Sequence, residues 1–224
     1  EKLNLTQYTQ PAMVTTGIAI MKVVEKQGLL PDTAAGLSLG EYEALYAAGA
    51  LSVTDAIRVV ARRGELMEAA VPAGVGAMAA VLGAEASLIE ETLSEIPEVW
   101  IANYNCPGQI VISGKKEAVE AAAEALKARG IKRVLMLNVS GPFHSGLLRE
   151  AGEELGKVLA ETEIHPLRIP YYANVTGGIV EDAAKVRGLL TEQVYSSVRF
   201  EQSIRNMLSA GVDTFYELGP GKTL

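Results

Sequence analysis

Apolar positions recur along this chain in two different periods, and the change from one to the other organises it. From Pro11 to Gly28 the run PAMVTTGIAIMKVVEKQG is apolar nearly all round. That predicts a buried helix, with Thr9 as N-cap, Pro11 in the tolerated early position and Gly28 as the stop. AAGLS, after Pro31-Asp32, predicts a short strand running into a helix over 39–48 that Gly49 closes. A helix over 54–70 follows, capped by Thr54. On it Ile57, Val60, Ala61, Gly64 and Met67 form an apolar face, and Asp55, Arg58, Arg62 and Glu65 a solvated one. Arg63 belongs to neither. Its own stripe is Val59, Leu66 and Ala70, so a guanidinium sits on the flank of the buried face and needs a partner there.

Beyond Gly76 the pattern changes. GAMAAVLG predicts a strand, 85–95 a helix, VWIANYN and QIVISG two strands joined across Cys106-Pro107-Gly108, 115–129 a helix stopped by Gly130, and KRVLMLNVS a strand. That order is βαββαβ, the ferredoxin-like arrangement. It predicts an inserted small domain over 75–140, within a discontinuous α/β core formed by 1–74 and 141–224. The core resumes with a helix over 145–162, a strand IPYYANV, a Gly177-Gly178 turn, helices over 182–194 and 201–210, and a strand TFYEL. The expected fold class is α/β, an α/β-hydrolase-like core carrying a ferredoxin-like insert.

Composition narrows the function classes. Nearly half of the 224 residues are apolar, and a formal charge of −7 argues against a broad nucleic-acid surface. The longest apolar runs are too short to span a bilayer and no charged-then-apolar leader opens the chain, so a soluble, cytoplasmic protein is expected. The single Cys106 makes no internal disulfide. With no histidine beside it in sequence it reads as inert. No start methionine precedes Glu1, and the chain stops inside a Gly/Pro turn, as expected of a sequence with neighbours at both ends.

Two motifs carry chemistry. Gly36-Leu37-Ser38-Leu39-Gly40 has the GxSxG form of a nucleophile elbow. Its glycines permit a sharp strand-to-helix turn with Ser38 at the tip. The Leu39 N–H and the positive end of the next helix then face the place where an oxyanion forms. The chain has two histidines. His165, in EIHPL, reads as an ordinary structural residue. His144 lies in a Gly/Pro loop ahead of a helix and is the candidate base. No acidic residue stands out as a third member; a backbone carbonyl could orient the imidazole instead. Asn103 and Asn105 could hydrogen-bond substrate or shape the turn, and shaping is the favoured reading.

GLSLGEY, Arg62-Arg63-Gly64, GAMAAVLG, NYNCPGQ, GPFHS, NVTG and ELGPGKTL, in that order and spacing, resemble the malonyl-CoA:carrier-protein transacylases over essentially the whole chain. The resemblance implies Ser38 as nucleophile, His144 as its base and Leu39 as an oxyanion donor. It implies Arg63 as the ligand of the malonate carboxylate, which suits a planar guanidinium fork. Phe143 is implied to line the acyl pocket and crowd a methyl branch. The carbonyl that orients His144 is expected near Val198 and Arg199. The sequence departs from the family in having Leu37 where a histidine is usual. The family's Gly-Gln-Gly segment, whose glutamine gives the second oxyanion N–H, lies ahead of Glu1.

The implied reaction is ping-pong transfer of malonyl from malonyl-CoA, through Ser38, to the phosphopantetheine thiol of acyl carrier protein in fatty acid synthesis. No resident cofactor or metal is implied; coenzyme A arrives with the substrate and phosphopantetheine with the partner. Neither nucleic acid nor membrane is among the expected partners. Carriers are typically acidic, so Lys115, Lys116, Lys127, Arg129, Lys132 and Arg133 are the expected docking cations. A serine esterase or thioesterase shares the elbow and base but does not account for Arg63 or the insert. A polyketide acyltransferase and a non-catalytic carrier-docking domain also compete with this assignment.

Overall fold

The computed structural model describes residues 2–72, 74–139, 141–221 and 224. After a single 3-10 turn, helix α1 (Thr6–Lys26) leads to strand β1 (Ala34–Ala35) and helices α2 (Gly40–Ala47) and α3 (Val53–Ala69). Next come β2 (Gly76–Leu82), α4 (Ala86–Ser94), β3 (Val99–Cys106), β4 (Gln109–Lys115), α5 (Lys116–Ala128) and β5 (Arg133–Met136). The chain then forms α6 (Arg149–Ala160), β6 (Tyr171–Tyr172), β7 (Ile179–Val180), α7 (Val186–Gln193), β8 (Val198–Arg199) and α8 (Phe200–Ser209).

One sheet has the order β5-β2-β4-β3-β8. Its first four strands have the antiparallel ferredoxin-like order, and β8 from the far end of the chain adds in parallel to β3, Asn103 opposite Val198. The apolar face of this sheet closes over α4 and α5 in a cluster holding Val81, Ile89, Ile112, Val119 and Leu126. The second sheet is small: β1 parallel to β6, and β6 in a hairpin with β7 across the predicted Gly177-Gly178 turn. Around it α1, α2, α3, α6 and α7 bury a larger cluster that includes Val14, Tyr42, Leu45, Val59, Leu155 and Leu190.

Several boundaries differ from the expectations. Helix α1 begins at Thr6 rather than at Thr9, because its first turn is held by α3. The Gln7 N–H donates to Glu68 Oε2 at 3.1 Å, and Gly64 lets the helices approach so closely that a Cβ there would lie 2.8 Å from Gln7 Cα. Helix α3 is capped by Ser52, not Thr54; the Ser52 hydroxyl accepts from the Asp55 N–H. Its buried stripe is Ala56, Val59, Val60, Arg63, Gly64 and Met67, so Arg63 lies within the buried face rather than on its flank. Strand β5 is four residues long, and the Ser140 end of the run expected there lies outside the described residues. TFYEL pairs with none of the described strands, and Phe215 and Tyr216 are exposed. Strands β7 and β8, two residues each, are too short to leave a period in the sequence.

Candidate active site

The turn from β1 into α2 is built by steric necessity. A Cβ on Gly36 would collide with the Gly40 carbonyl, so only glycine admits this turn. Between them Ser38 takes a left-handed φ of 52°. Such a conformation costs a non-glycine residue about 1–3 kcal/mol and persists only where the surroundings fix it. Asn174, just after β6, does the fixing: its Oδ1 accepts from the Ser38 N–H at 2.6 Å and its Nδ2 donates to the Gly36 carbonyl at 2.7 Å. With the Ser38 amide so occupied, Leu39 is the first residue whose N–H has no backbone acceptor at the start of α2.

The loop before α6 presents His144 to this turn. The Ser145 hydroxyl donates to the Pro142 carbonyl at 2.6 Å and closes the loop. His144 has a left-handed φ of 56° and is 4% exposed. Its Nε2 lies 2.6 Å from Ser38 Oγ and its Nδ1 lies 2.8 Å from the Gln193 carbonyl oxygen. A carbonyl only accepts, so Nδ1 carries the hydrogen and Nε2 is free to take the serine proton. The orienting carbonyl therefore belongs to Gln193 at the end of α7. Val198 and Arg199, the expected place, have their backbone engaged elsewhere: β8 pairs with β3, and the Arg199 N–H donates to Asn174 O. Burial, reinforced by the positive charge of Arg63, lowers the His144 pKa to about 4, so the imidazole is neutral at physiological pH.

Arg63 is 2% exposed and forms no ion pair among the described residues. Nη1 donates to Gln10 Oε1 at 2.8 Å, and Nη2 donates to Gln193 Oε1 at 3.0 Å and to Ser38 Oγ at 3.1 Å. The guanidinium stacks 5.6 Å from the centre of the Tyr42 ring, and its Nε has no hydrogen-bond partner among the described residues. A buried cation held by two neutral amides and a hydroxyl, with no carboxylate partner among the described residues, can meet an anion from outside. Glu41 is wholly buried next to this group. Burial pushes its carboxyl up to about 7, against hydrogen bonds from Gln193 and Asn174 and the charge of Arg63.

Ser38, Leu39, Arg63, Phe143 and His144 all line one cleft of about 500 Å³ between the larger sheet and the elbow, α1 and α3. Phe143 packs against Met78, Ala102 and Val111 of the larger sheet. Asn103 and Asn105 lie on β3 in the wall of the same cleft, and Asn105 Oδ1 is buried without a partner; they shape no turn. A second cleft of about 320 Å³ backs onto His144 and is edged by Arg149 and Arg199, stacked on Tyr195 and Tyr104. Of the expected docking cations, Lys115, Lys127 and Arg129 are already paired with glutamates. His165 is away from the cleft, 3.6 Å from Glu163, and the Cys106 thiol is exposed, donating to Gln109 Oε1 at 3.3 Å. No group of His, Cys, Asp and Glu among the described residues could hold a metal ion, and no described helix is long and apolar enough to cross a membrane.

Gln10, Glu41, Asn174 and Gln193 are the site residues that sequence reasoning gave no role. Glu41 and Asn174 stand inside the GLSLGEY and NVTG motifs, but Gln10 and Gln193 are ordinary helix amides whose positions are set by packing alone.

The geometry has known counterparts. The acyl transferase domain family model matches residues 1–224. The malonyl CoA-acyl carrier protein transacylase of Bacillus subtilis is 49% identical over 228 residues, 100% of this chain and 72% of that protein. The crystal structure of an acyl carrier protein S-malonyltransferase from Vibrio cholerae has a TM-score of 0.96 at 42% identity, covering 98% of this chain and 73% of that one. A type II polyketide synthase acyl-carrier protein in complex with its malonyl-transacylase gives a TM-score of 0.94 at 41% identity, covering 98% and 72%.

Proposed function

We propose, from the premise that the chain belongs to the acyl transferase domain family, that it moves malonyl from malonyl-CoA to the phosphopantetheine thiol of acyl carrier protein for fatty acid synthesis. The observation that carries the reading is the line from Arg63 through Ser38 Oγ and His144 to the Gln193 carbonyl, with contacts of 3.1, 2.6 and 2.8 Å. It joins a nucleophile, a neutral base and an uncommitted cation in one cleft.

His144 Nε2 takes the Ser38 proton as Oγ attacks the malonyl thioester carbon. The Leu39 N–H faces the oxyanion of the tetrahedral intermediate. The C–S bond then breaks, and protonated His144 returns its proton to the departing coenzyme A sulfur. The carrier thiol enters, gives its proton to the same nitrogen and attacks the serine ester; the C–Oγ bond breaks, and Ser38 Oγ takes that proton back from His144. Arg63 binds the free malonyl carboxylate throughout. Of its five N–H groups three are donated within the protein, and acylation of Ser38 releases the one on Oγ. No resident cofactor takes part, the protein works in the cytoplasm, and residues 75–140 act as the inserted unit that walls the cleft. Incubation with malonyl-CoA alone should leave one malonyl group per chain, discharged by holo carrier. Continuous release of free malonate would make the protein a hydrolase.

Phe143 faces the acyl side of this cleft between Met78, Val111 and the nucleophile. Phe143→Ser opens that wall. The kcat/KM ratio of methylmalonyl to malonyl is expected to rise about ten- to a hundredfold, the scale for one methyl group in a tight pocket. Competition between the two acyl-CoAs in one tube measures it. Lower stability with an unchanged ratio would leave Phe143 as packing only.

A further inference from the structure

We infer that Glu41 is a positioning residue for acyl transfer, holding Gln193 and Asn174 in the poses that align nucleophile, base and guanidinium. The inference rests on the reading of Ser38 as nucleophile and adds to it a group that touches no substrate.

A wholly buried carboxyl is costly, and a merely structural position one residue past the elbow glycine would suit an apolar side chain better. Glu41 instead receives two hydrogen bonds on Oε2, from Gln193 Nε2 at 2.7 Å and from the Asn174 N–H at 3.2 Å. Each partner is a hub. The Gln193 amide has only one useful sense. Its NH2 donates to Glu41 and to the Ser38 carbonyl at 2.8 Å, which leaves its oxygen to accept from Arg63. Flipped, it would present NH2 to the guanidinium. The backbone of the same residue supplies the carbonyl that fixes the His144 tautomer. Asn174, held through its N–H, pins the elbow on both sides of its strained residue through Ser38 N and Gly36 O. One carboxyl oxygen thus sets the sense of one amide and the place of another, and every reacting group of the site hangs from those two. The charged and titratable groups around Glu41 are Arg63 of α3, Tyr171 of β6 and its own neighbour Tyr42.

The test is Glu41→Leu. Leucine keeps most of the bulk and removes the oxygen that accepts both hydrogen bonds. Single-turnover acylation of Ser38 is expected to slow about ten- to a hundredfold, as for reacting groups displaced from alignment. Acetyl-CoA should lose rate as well, since the alignment of nucleophile and base does not depend on the acyl group. Added to Gln193→Ala, the substitution should cost less than it does alone, because part of its effect passes through that residue. Should Glu41→Leu fail to fold, Glu41→Asp withdraws the carboxyl by one methylene and should show the same pattern. Three results would overturn the inference: a wild-type acylation rate in a folded but less stable variant, full additivity with Gln193→Ala, or a loss confined to malonyl. A wild-type protein that never acylates at Ser38 would instead overturn the reading of the nucleophile.

Discussion

Replacing His144 with alanine should slow acylation of Ser38 by about 10²–10⁴-fold, the contribution of a positioned general base. The size follows from the geometry. Nε2 is the base placed 2.6 Å from Ser38 Oγ, and its tautomer is fixed by the Gln193 carbonyl on the far side. Arg63 also contacts Oγ, but a guanidinium only donates and cannot take the proton. The pH dependence has a definite sign. The His144 pKa is lowered to about 4, first by burial and then by Arg63. The base is therefore neutral and active above that value, and becomes protonated and inactive below it. The acid limb of wild-type acylation should fall near pH 4 rather than near the ordinary histidine value of about 6.5. Quenched-flow measurement of acyl-enzyme formation from malonyl-CoA reads both. Near wild-type acylation in His144→Ala would place the base elsewhere.

Arg63→Ala should change which acyl group is transferred. The guanidinium is buried, unpaired by any carboxylate among the described residues and in contact with the nucleophile. A malonyl carboxylate there gains a charge-assisted pair worth about 1.5–3 kcal/mol, which is about ten- to more than a hundredfold in affinity. Acetyl has no charge to lose. Both substrates will suffer from the stranded Gln10 and Gln193 oxygens, so the informative quantity is the ratio. Malonyl over acetyl, in competition near neutral pH, should fall by that same factor. Loss of the cation raises the His144 pKa toward its ordinary value, which leaves the base neutral at that pH. An unchanged ratio would remove Arg63 from acyl recognition.

What was legible in the sequence is what chemistry or sterics writes locally. GxSxG must hold a glycine at Gly36, where a Cβ would meet the Gly40 carbonyl, and the left-handed loop of His144 shows its Gly-Pro. The βαββαβ order was legible because its strands run four to eight residues and leave a period. Strand β8 left none: two residues join a sheet whose other strands all lie far earlier in the chain. Gln193 lay hidden for a different reason. Its amide and its carbonyl both matter, yet neither is visible in a helix whose neighbours Thr191 and Glu192 look alike in polarity. Glu68 shows the same limit in the fold, since it caps a helix 61 positions away. Groups that act only through a non-local partner cannot be read from a single sequence.

The central claim is an ester on Ser38, and peptide-level mass spectrometry tests it most directly. The protein is incubated with malonyl-CoA, quenched in acid, digested and mapped beside Ser38→Ala, which removes one cleft-facing hydroxyl and little packing. The account predicts a malonyl group on the peptide spanning Gly36 to Gly40 of the wild type, lost on addition of holo carrier and absent from Ser38→Ala. A malonylated Ser38→Ala protein, or an adduct that maps to any other residue, would contradict it.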